Sequence, residues 1–472
     1  MPFRHIVLVL ALSMVSVPVS AGDAAVQRLA EAVRFRTISH QDPSQINYAE
    51  FERFNEFLQA SYPLTFATLD VEVVGGYSLL LIWRGSDASL SPILLTAHSD
   101  VVPIEPGTEA DWQYPPFAGV VAEGKIHGRG TLDDKEGVMA WLEAVESLVA
   151  ERFVPRRTVV FAFGHDEEIG GEQGARAIAA RLQAQGMHFA WMIDEGGMIL
   201  SDNPMLPQRP VAMINVAEKG FITLTLTAKG EGGHSSQPPP VSTIGRLSRA
   251  LARLEENPFP TELPVPVVAM LETMAPHMDQ PERFIFNNLW LTGSLVESQM
   301  AQDRLTNSFV RTTTALTMFN AGVKENVVPQ EAQAKVNFRL LPGDTTEKLV
   351  QRVTALVDDP DVEITYSNWN NIPPVSDHNA EGFTTIAAAV AEVVPDVLVV
   401  PSLLTATTDT RHYIELTDNQ YRFHGVAMSS SQASSIHGTG EAIGVDSYLT
   451  SIEIARRILL AANGVSADSA LR

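Results

Sequence analysis

The stretch at 92–100, PILLTAHSD, decides how the chain is read. Residues 92–97 form a short apolar run bounded by turns, the pattern of a strand buried on both faces. The same texture recurs at 77–83, 158–163 and 190–193. Helical spacing separates these runs. Residues 137–152 put Met139, Leu142, Val145 and Leu148 on one side, and 174–185 is an Ala-rich helix. Upstream, Val26, Leu29, Val33 and Phe35 mark a helix over 23–38, a second covers 48–58, and strand texture begins at Phe66. Helices alternating with short apolar strands predict an α/β core with a mainly parallel sheet.

The pattern shifts near Lys219. FITLTLTA at 221–228 alternates strictly, as a half-exposed antiparallel strand does. A helix at 242–256, strands at 312–317 and 332–340, a helix at 346–357 and a strand at 362–367 follow. Strand–helix–strand–strand–helix–strand is the order of a ferredoxin-like sandwich. The α/β texture then returns, with helices at 383–393 and 447–462 around a strand at 397–400. The predicted organisation is therefore a core of 22–217 and 372–472, interrupted by an inserted α+β unit at 218–371. Within the insert, 257–310 is rich in Pro and Met and carries Phe284, Phe286, Trp290 and Leu291, so it reads as an extra lobe with short helices of its own.

A chain of 472 residues exceeds one hydrophobic core, in keeping with that division. Its formal charge of -23 excludes nucleic acid and anionic membranes as partners, since both would repel it. It has no cysteine, which removes thiol nucleophiles, Cys-ligated zinc and disulfides. A metal site would have to use His, Asp, Glu or backbone oxygen. At the N-terminus, Arg4, the apolar run 6–17, Pro18 and the small residues Val19-Ser20-Ala21 read as a signal peptide over 1–21. The run is too short for a stable membrane anchor, so the chain is expected to be exported after cleavage behind Ala21.

Five segments carry the chemistry: HSD at 98–100, GRGTLDDK at 128–135, GHDEEIGG at 164–171, MIDEGG at 192–197 and IHGTGE at 436–441. Each follows a predicted strand or lies in a loop. Residues at the carboxyl ends of parallel strands converge on one crevice. Singly, each has a plainer explanation: His98 as a hydrogen-bonded structural residue, Asp133-Asp134 as a helix cap, Glu167-Glu168 as a solvated turn. Together they offer two histidines and several carboxylates, a donor set that zinc and similar ions accept. The chain lacks a G-x-S-x-G elbow, an H-E-x-x-H helix and the Gly-rich nucleotide fingerprints.

These segments resemble the motifs of the M20 family of two-zinc peptidases and deacylases, across essentially the whole chain after the leader. GHDEEIGG, RTTTALTMFNAGVKENVVP at 311–329, VNFRLLPG at 336–343 and TDTRHY at 408–413 are similar to its carboxypeptidase S and N-acyl-amino-acid hydrolase branch. The resemblance implies two zinc ions per subunit, with cobalt and manganese left open. Asp133 would bridge them, His98 and Asp194 would complete one, and Glu168 and His437 the other. It implies that Asp100 orients His98, that Asp134 also supports the metal ligands from behind and is joined to Asp133 by a cis peptide, and that Glu167 is the general base. His234, in GEGGHSSQP, resembles the histidine that stabilises the oxyanion, supplied by the partner in dimeric members. Arg339 and Asn326 resemble holders of the substrate carboxylate, with Arg411 a further candidate. His127, His165 and His412 match no metal position.

The expected activity is metal-dependent hydrolysis of the amide beside a C-terminal amino acid, in a short peptide or N-acyl amino acid. A deacylase of small acetylated or succinylated metabolites is the alternative, and a non-catalytic metal-holding protein a third reading. The resemblance implies a homodimer joined through the insert, while the lobe at 257–310 leaves a monomer open.

Overall fold

The computed structural model describes residues 21–366 and 372–465. All of the leader expected at 1–21 except its last residue, and the boundary expected at 371, lie outside the described residues.

The α/β core is built on a ten-stranded mixed sheet. Its centre is Ile93–His98, which runs parallel to Val159–Gly164 on one side and to Met192–Asp194 on the other. All six residues of each of the first two strands are buried, as their unbroken apolar runs require. Gln420–Arg422 continues the parallel series beyond Met192–Asp194. Two antiparallel strands, Asp70–Val74 and Ser78–Trp83, close one side. Towards the other, Val211–Glu218 pairs in parallel with Leu398–Leu404. VAMINVAE at 211–218 was not expected as a strand. Its buried Asn215 and Glu218 interrupt the apolar run that would have marked it.

Helix Lys135–Ala150 begins where Asp134 accepts a hydrogen bond from the Gly137 N–H. Its buried residues, among them Val138, Met139, Leu142 and Val145, join one continuous core with the sheet and with helix Val445–Ala462. The strand texture expected from Phe66 is instead a short helix, Pro63–Thr68, with proline at its first turn, where a missing N–H costs nothing. The strand proper starts at Asp70.

At Gly220 the chain leaves this sheet for a second, four-stranded antiparallel one. Its order is Thr313–Ala321, Glu331–Leu340, Gly220–Lys229, Val362–Tyr366. Helices Thr243–Glu256 and Thr346–Val357 cover one face, giving the ferredoxin-like arrangement and a separate apolar core. The lobe forms helices Val265–Met274, Glu282–Asn287, Leu289–Met300 and Arg304–Phe309. It sits against the large sheet. Val267, Met270, Leu271 and Met274 pack with Val211, Leu398, Val400 and Leu403, and Leu341 of the smaller unit joins the same apolar seam. No described helix is long and apolar enough to cross a membrane.

Candidate metal centre

Strand ends deliver the site. His98 is the last residue of its strand, and the turn Glu167–Ile169 follows Val159–Gly164. Asp133 precedes the helix at Lys135, and the Asp133–Asp134 peptide is cis. His437 comes from the late IHGTGE loop, with a backbone φ of 60°.

Asp133 stands between two histidines. Its Oδ1 lies 2.9 Å from His98 Nε2 and its Oδ2 2.9 Å from His437 Nε2. Glu168 Oε2 is 3.2 Å from His437 Nε2. Glu195 Oε1 is 3.5 Å from His98 Nε2. The donors thus fall into two sets, His98–Asp133–Glu195 and His437–Asp133–Glu168, sharing one carboxylate. Bonds of about 2.0–2.1 Å at tetrahedral angles set neighbouring ligand atoms about 3.3 Å apart, and these spacings match. Among the described residues the buried Glu168 Oε1 has no hydrogen-bond partner, which leaves an acceptor inside the second set. The residues therefore fit two divalent cations. The Asp133 and Glu168 carboxylates raise the His437 ring to about 10, against the drag of burial, a measure of the negative field such cations would neutralise.

The sequence reading names Asp194 for the first set; the structure brings Glu195 there instead. Consecutive residues along a strand end face opposite ways, so only one of the two can face His98. Asp194 is 2% exposed, its Oδ2 has no hydrogen-bond partner, and its charge bears on Asp409. The signal was present in MIDEGG, where the two acids are adjacent, but its choice between faces needed the strand register.

Asp100 lies against the His98 ring. Its backbone oxygen lies 3.0 Å from His98 Nδ1 and its Oδ1 3.3 Å, which turns Nε2 towards Asp133. Its carboxylate also accepts from the N–H groups of Glu167 and Glu168, at 3.1 and 3.2 Å. One side chain therefore orients a histidine and the turn carrying two glutamates. Burial, with the Glu195 and Asp409 charges beside it, pushes the Glu167 carboxyl well above its usual range. Its neighbours His98 and Glu195 place it at the first donor set.

A clamp unnoticed in the sequence joins the remaining segments. Glu441, the last residue of IHGTGE, is fully buried. Its Oε1 accepts from the N–H groups of Gly130 and Leu132, and its Oε2 lies 2.6 Å from Arg129 Nη1. Arg129 Nη2 also donates to the carbonyls of His437 and Gly438. The loop bearing Asp133 and the loop bearing His437 are thereby tied together, and the left-handed backbone of His437 is held.

Two arginines lie within electrostatic reach of each other, and one of them of Glu167. Arg339 lies over the Phe221 ring at 4.7 Å and donates to Thr407 Oγ1 at 3.3 Å. Burial lowers its pKa, Glu218 opposes that shift, and the charges of Arg411 and Glu167 are both felt there. The nearest carboxylate of Arg411 is Asp409, at 3.9 Å. His234 and Asn326 are brought to each other but not to this centre. They lie on a small exposed ribbon, Gly233–His234 paired with Val327–Val328, where the Asn326 carbonyl accepts from Ser235. Among the described residues, no hydrogen bond or ion pair joins either side chain to the donor sets. His127, His165 and His412 hydrogen-bond to the Ala122 carbonyl, Ser78 Oγ and the Gly170 carbonyl.

Comparison with known proteins identifies the family. The model of peptidase family M20/M25/M40 matches residues 94–461. The chain belongs to the M20 family. It is 40% identical over 433 residues to the N-fatty-acyl-amino acid synthase/hydrolase PM20D1 of Bos taurus, covering 90% of this chain and 85% of that one. It is 39% identical over 428 residues to the probable carboxypeptidase S-like 2 of Dictyostelium discoideum, covering 89% and 82%. Two solved structures share the fold at 17% identity and a TM-score of 0.67. One is the M20 metallo-carboxypeptidase Sso-CP2 of Sulfolobus solfataricus, covering 92% of this chain and 98% of that one. The other is human carnosine dipeptidase 1, covering 94% and 97%. As an M20 member, the protein is a metal-dependent hydrolase of amide bonds.

Proposed function

We propose that this hydrolase cleaves the amide of N-acyl amino acids, or of short peptides, beside a free C-terminal carboxylate. The observation that carries the reading is a shared-carboxylate pair of donor sets, with the charges of Arg411 and Glu167 both felt at the buried Arg339. Relatives named for N-fatty-acyl amino acids and for carboxypeptidase S support the same substrate class.

In this reading His98, Asp133 and Glu195 hold one divalent ion, and His437, Asp133 and Glu168 hold the other, zinc being the expected metal. When bound, such ions would supply Lewis acidity to a carbonyl and would lower the pKa of a water molecule. Glu167 takes the proton from the attacking water and returns it to the departing amine. Burial raises its pKa, which strengthens it as a base. Arg339 and Arg411 bind the free carboxylate and set the scissile bond. His234 stabilises the oxyanion from a second subunit, and its exposed position away from its own centre supports a homodimer. The leader at 1–21 supports export.

The test is hydrolysis of a panel of N-acyl amino acids and dipeptides, with and without chelator. We expect chelator-sensitive release of the C-terminal amino acid, and Glu167→Gln to keep its metal while losing turnover by at least a thousandfold. Chelator-insensitive cleavage, or a Glu167→Gln rate within tenfold of wild type, refutes the mechanism.

A further inference from the structure

Behind the donor sets lies a buried ionisable group that the chemistry above does not use: Asp134, Glu136 and His424. Asp134 is completely buried and both of its oxygens are engaged. Oδ2 accepts from the His98 N–H at 3.0 Å. Oδ1 accepts from the Gly137 N–H at 3.2 Å and lies 3.0 Å from His424 Nε2. The His424 nitrogen makes no hydrogen bond of acceptable angle, so the contact is an ion pair rather than a linear bond.

His424 is itself held. Its backbone N–H donates to the Gly197 carbonyl at 2.7 Å, and its Nδ1 is 3.9 Å from Glu136 Oε2. Glu136 is 1% exposed and accepts a hydrogen bond from Ser451, on the long C-terminal helix. Gly137 completes the arrangement. A Cβ there would lie 2.4 Å from Asp134 Oδ1 and 3.0 Å from His424 Nε2, so any side chain would part them. A plain helix cap needs neither the histidine nor this bare approach. A buried carboxylate beside Asp133 and Glu195 does need a compensating cation.

We propose that His424 is a positioning residue for the metal centre. It fixes the Asp134 carboxylate, which in turn pins the backbone of His98 and the loop presenting Asp133. Glu136 and Ser451 extend this support to the helix Val445–Ala462. Groups that orient metal ligands typically change affinity about 10- to 100-fold when removed. The inference rests on the two donor sets being metal sites.

The experiment measures zinc affinity of the metal-stripped full chain by chelator competition, and the visible spectrum of the cobalt-loaded protein. His424→Leu and Gly137→Ala are each expected to weaken zinc binding about 10- to 100-fold and to shift the cobalt bands. His424→Gln, whose amide can place a neutral donor beside Asp134, recovers part of the loss. Ile454→Val lines the same recess without touching Asp134, and should lower thermal stability while leaving both readouts unchanged. A folded His424→Leu protein with wild-type zinc affinity and spectrum overturns the proposal. Should that variant not fold, wild-type values in Gly137→Ala overturn it equally. A wild-type chain that binds no divalent ion refutes the parent reading, whereas normal wild-type binding with an unaffected His424→Leu refutes this inference alone.

Discussion

Replacing Arg339 by methionine keeps the stem that lies on Phe221 and removes the charge. Among the described residues the guanidinium has one hydrogen-bond partner, the neutral Thr407 Oγ1, which leaves most of its five N–H donors for a ligand. Truncating one partner of a desolvated charge pair costs about 2–5 kcal/mol. Arg411 remains near enough to share the anion, which places the expected loss at the lower end, about 2–3 kcal/mol. At about 1.36 kcal/mol per decade, KM should rise roughly 30- to 150-fold. The effect should fall on KM more than on kcat, because the carboxylate is bound alike before and during the reaction. Initial rates on an N-acyl amino acid and on its C-terminal amide form a double-mutant cycle. The amide should already be a poor substrate, and Arg339→Met should make it little worse. A KM change below threefold on the free acid, or an equal loss on acid and amide, refutes the assignment.

Glu195→Gln should cut zinc stoichiometry from two towards one, or weaken one site by at least a hundredfold, while Asp194→Asn leaves stoichiometry unchanged; metal analysis after dialysis decides between them, and the reverse result restores Asp194. Lys219 is completely buried, donates to the carbonyls of Ser308 and Arg311, and is lowered by burial, with the Arg339 charge adding, to about 7. Between about 7 and the unfolded value of 10.5 the unfolded chain binds more protons, so stability conferred on the wild type relative to Lys219→Met should rise with pH there. The slope is at most about 1.4 kcal/mol per pH unit. Denaturant midpoints of both proteins from pH 7 to 9.5 check it, and parallel curves refute it.

The legible parts of the molecule are those where one residue's type implies its surroundings. The run ILLTA is a strand buried on both faces, and FITLTLTA alternates between buried residues and the half-buried Phe221, Thr223 and Thr225. The clustering of His98, Asp133, Glu168 and His437 followed from strand ends and motif resemblance, and their side chains do meet. What stayed hidden depended on partners remote in sequence. Glu441 has meaning only against Gly130, Leu132 and Arg129, and His424 only against Asp134. Asp194 and Glu195 are adjacent acids whose roles are exchanged by one step of the strand. The strand Val211–Glu218 was masked by the same buried Glu218 that accepts hydrogen bonds from Thr408, Thr410 and Arg422.

The apolar seam beneath the lobe also bears on the order in which the chain is made. Val211 waits for Leu398 as its parallel partner, and Val267 and Leu271 wait for the same late strand. During synthesis the lobe therefore leaves the ribosome with its packing face uncovered, and Val211–Glu218 with an open edge. Both persist until the last quarter of the chain emerges. Contacts this distant form slowly, and exposed edges and apolar faces invite aggregation meanwhile. Shortening the chain anywhere before Leu404 should yield a nascent protein that depends on chaperones, even where the residues of the metal centre made up to that point are intact.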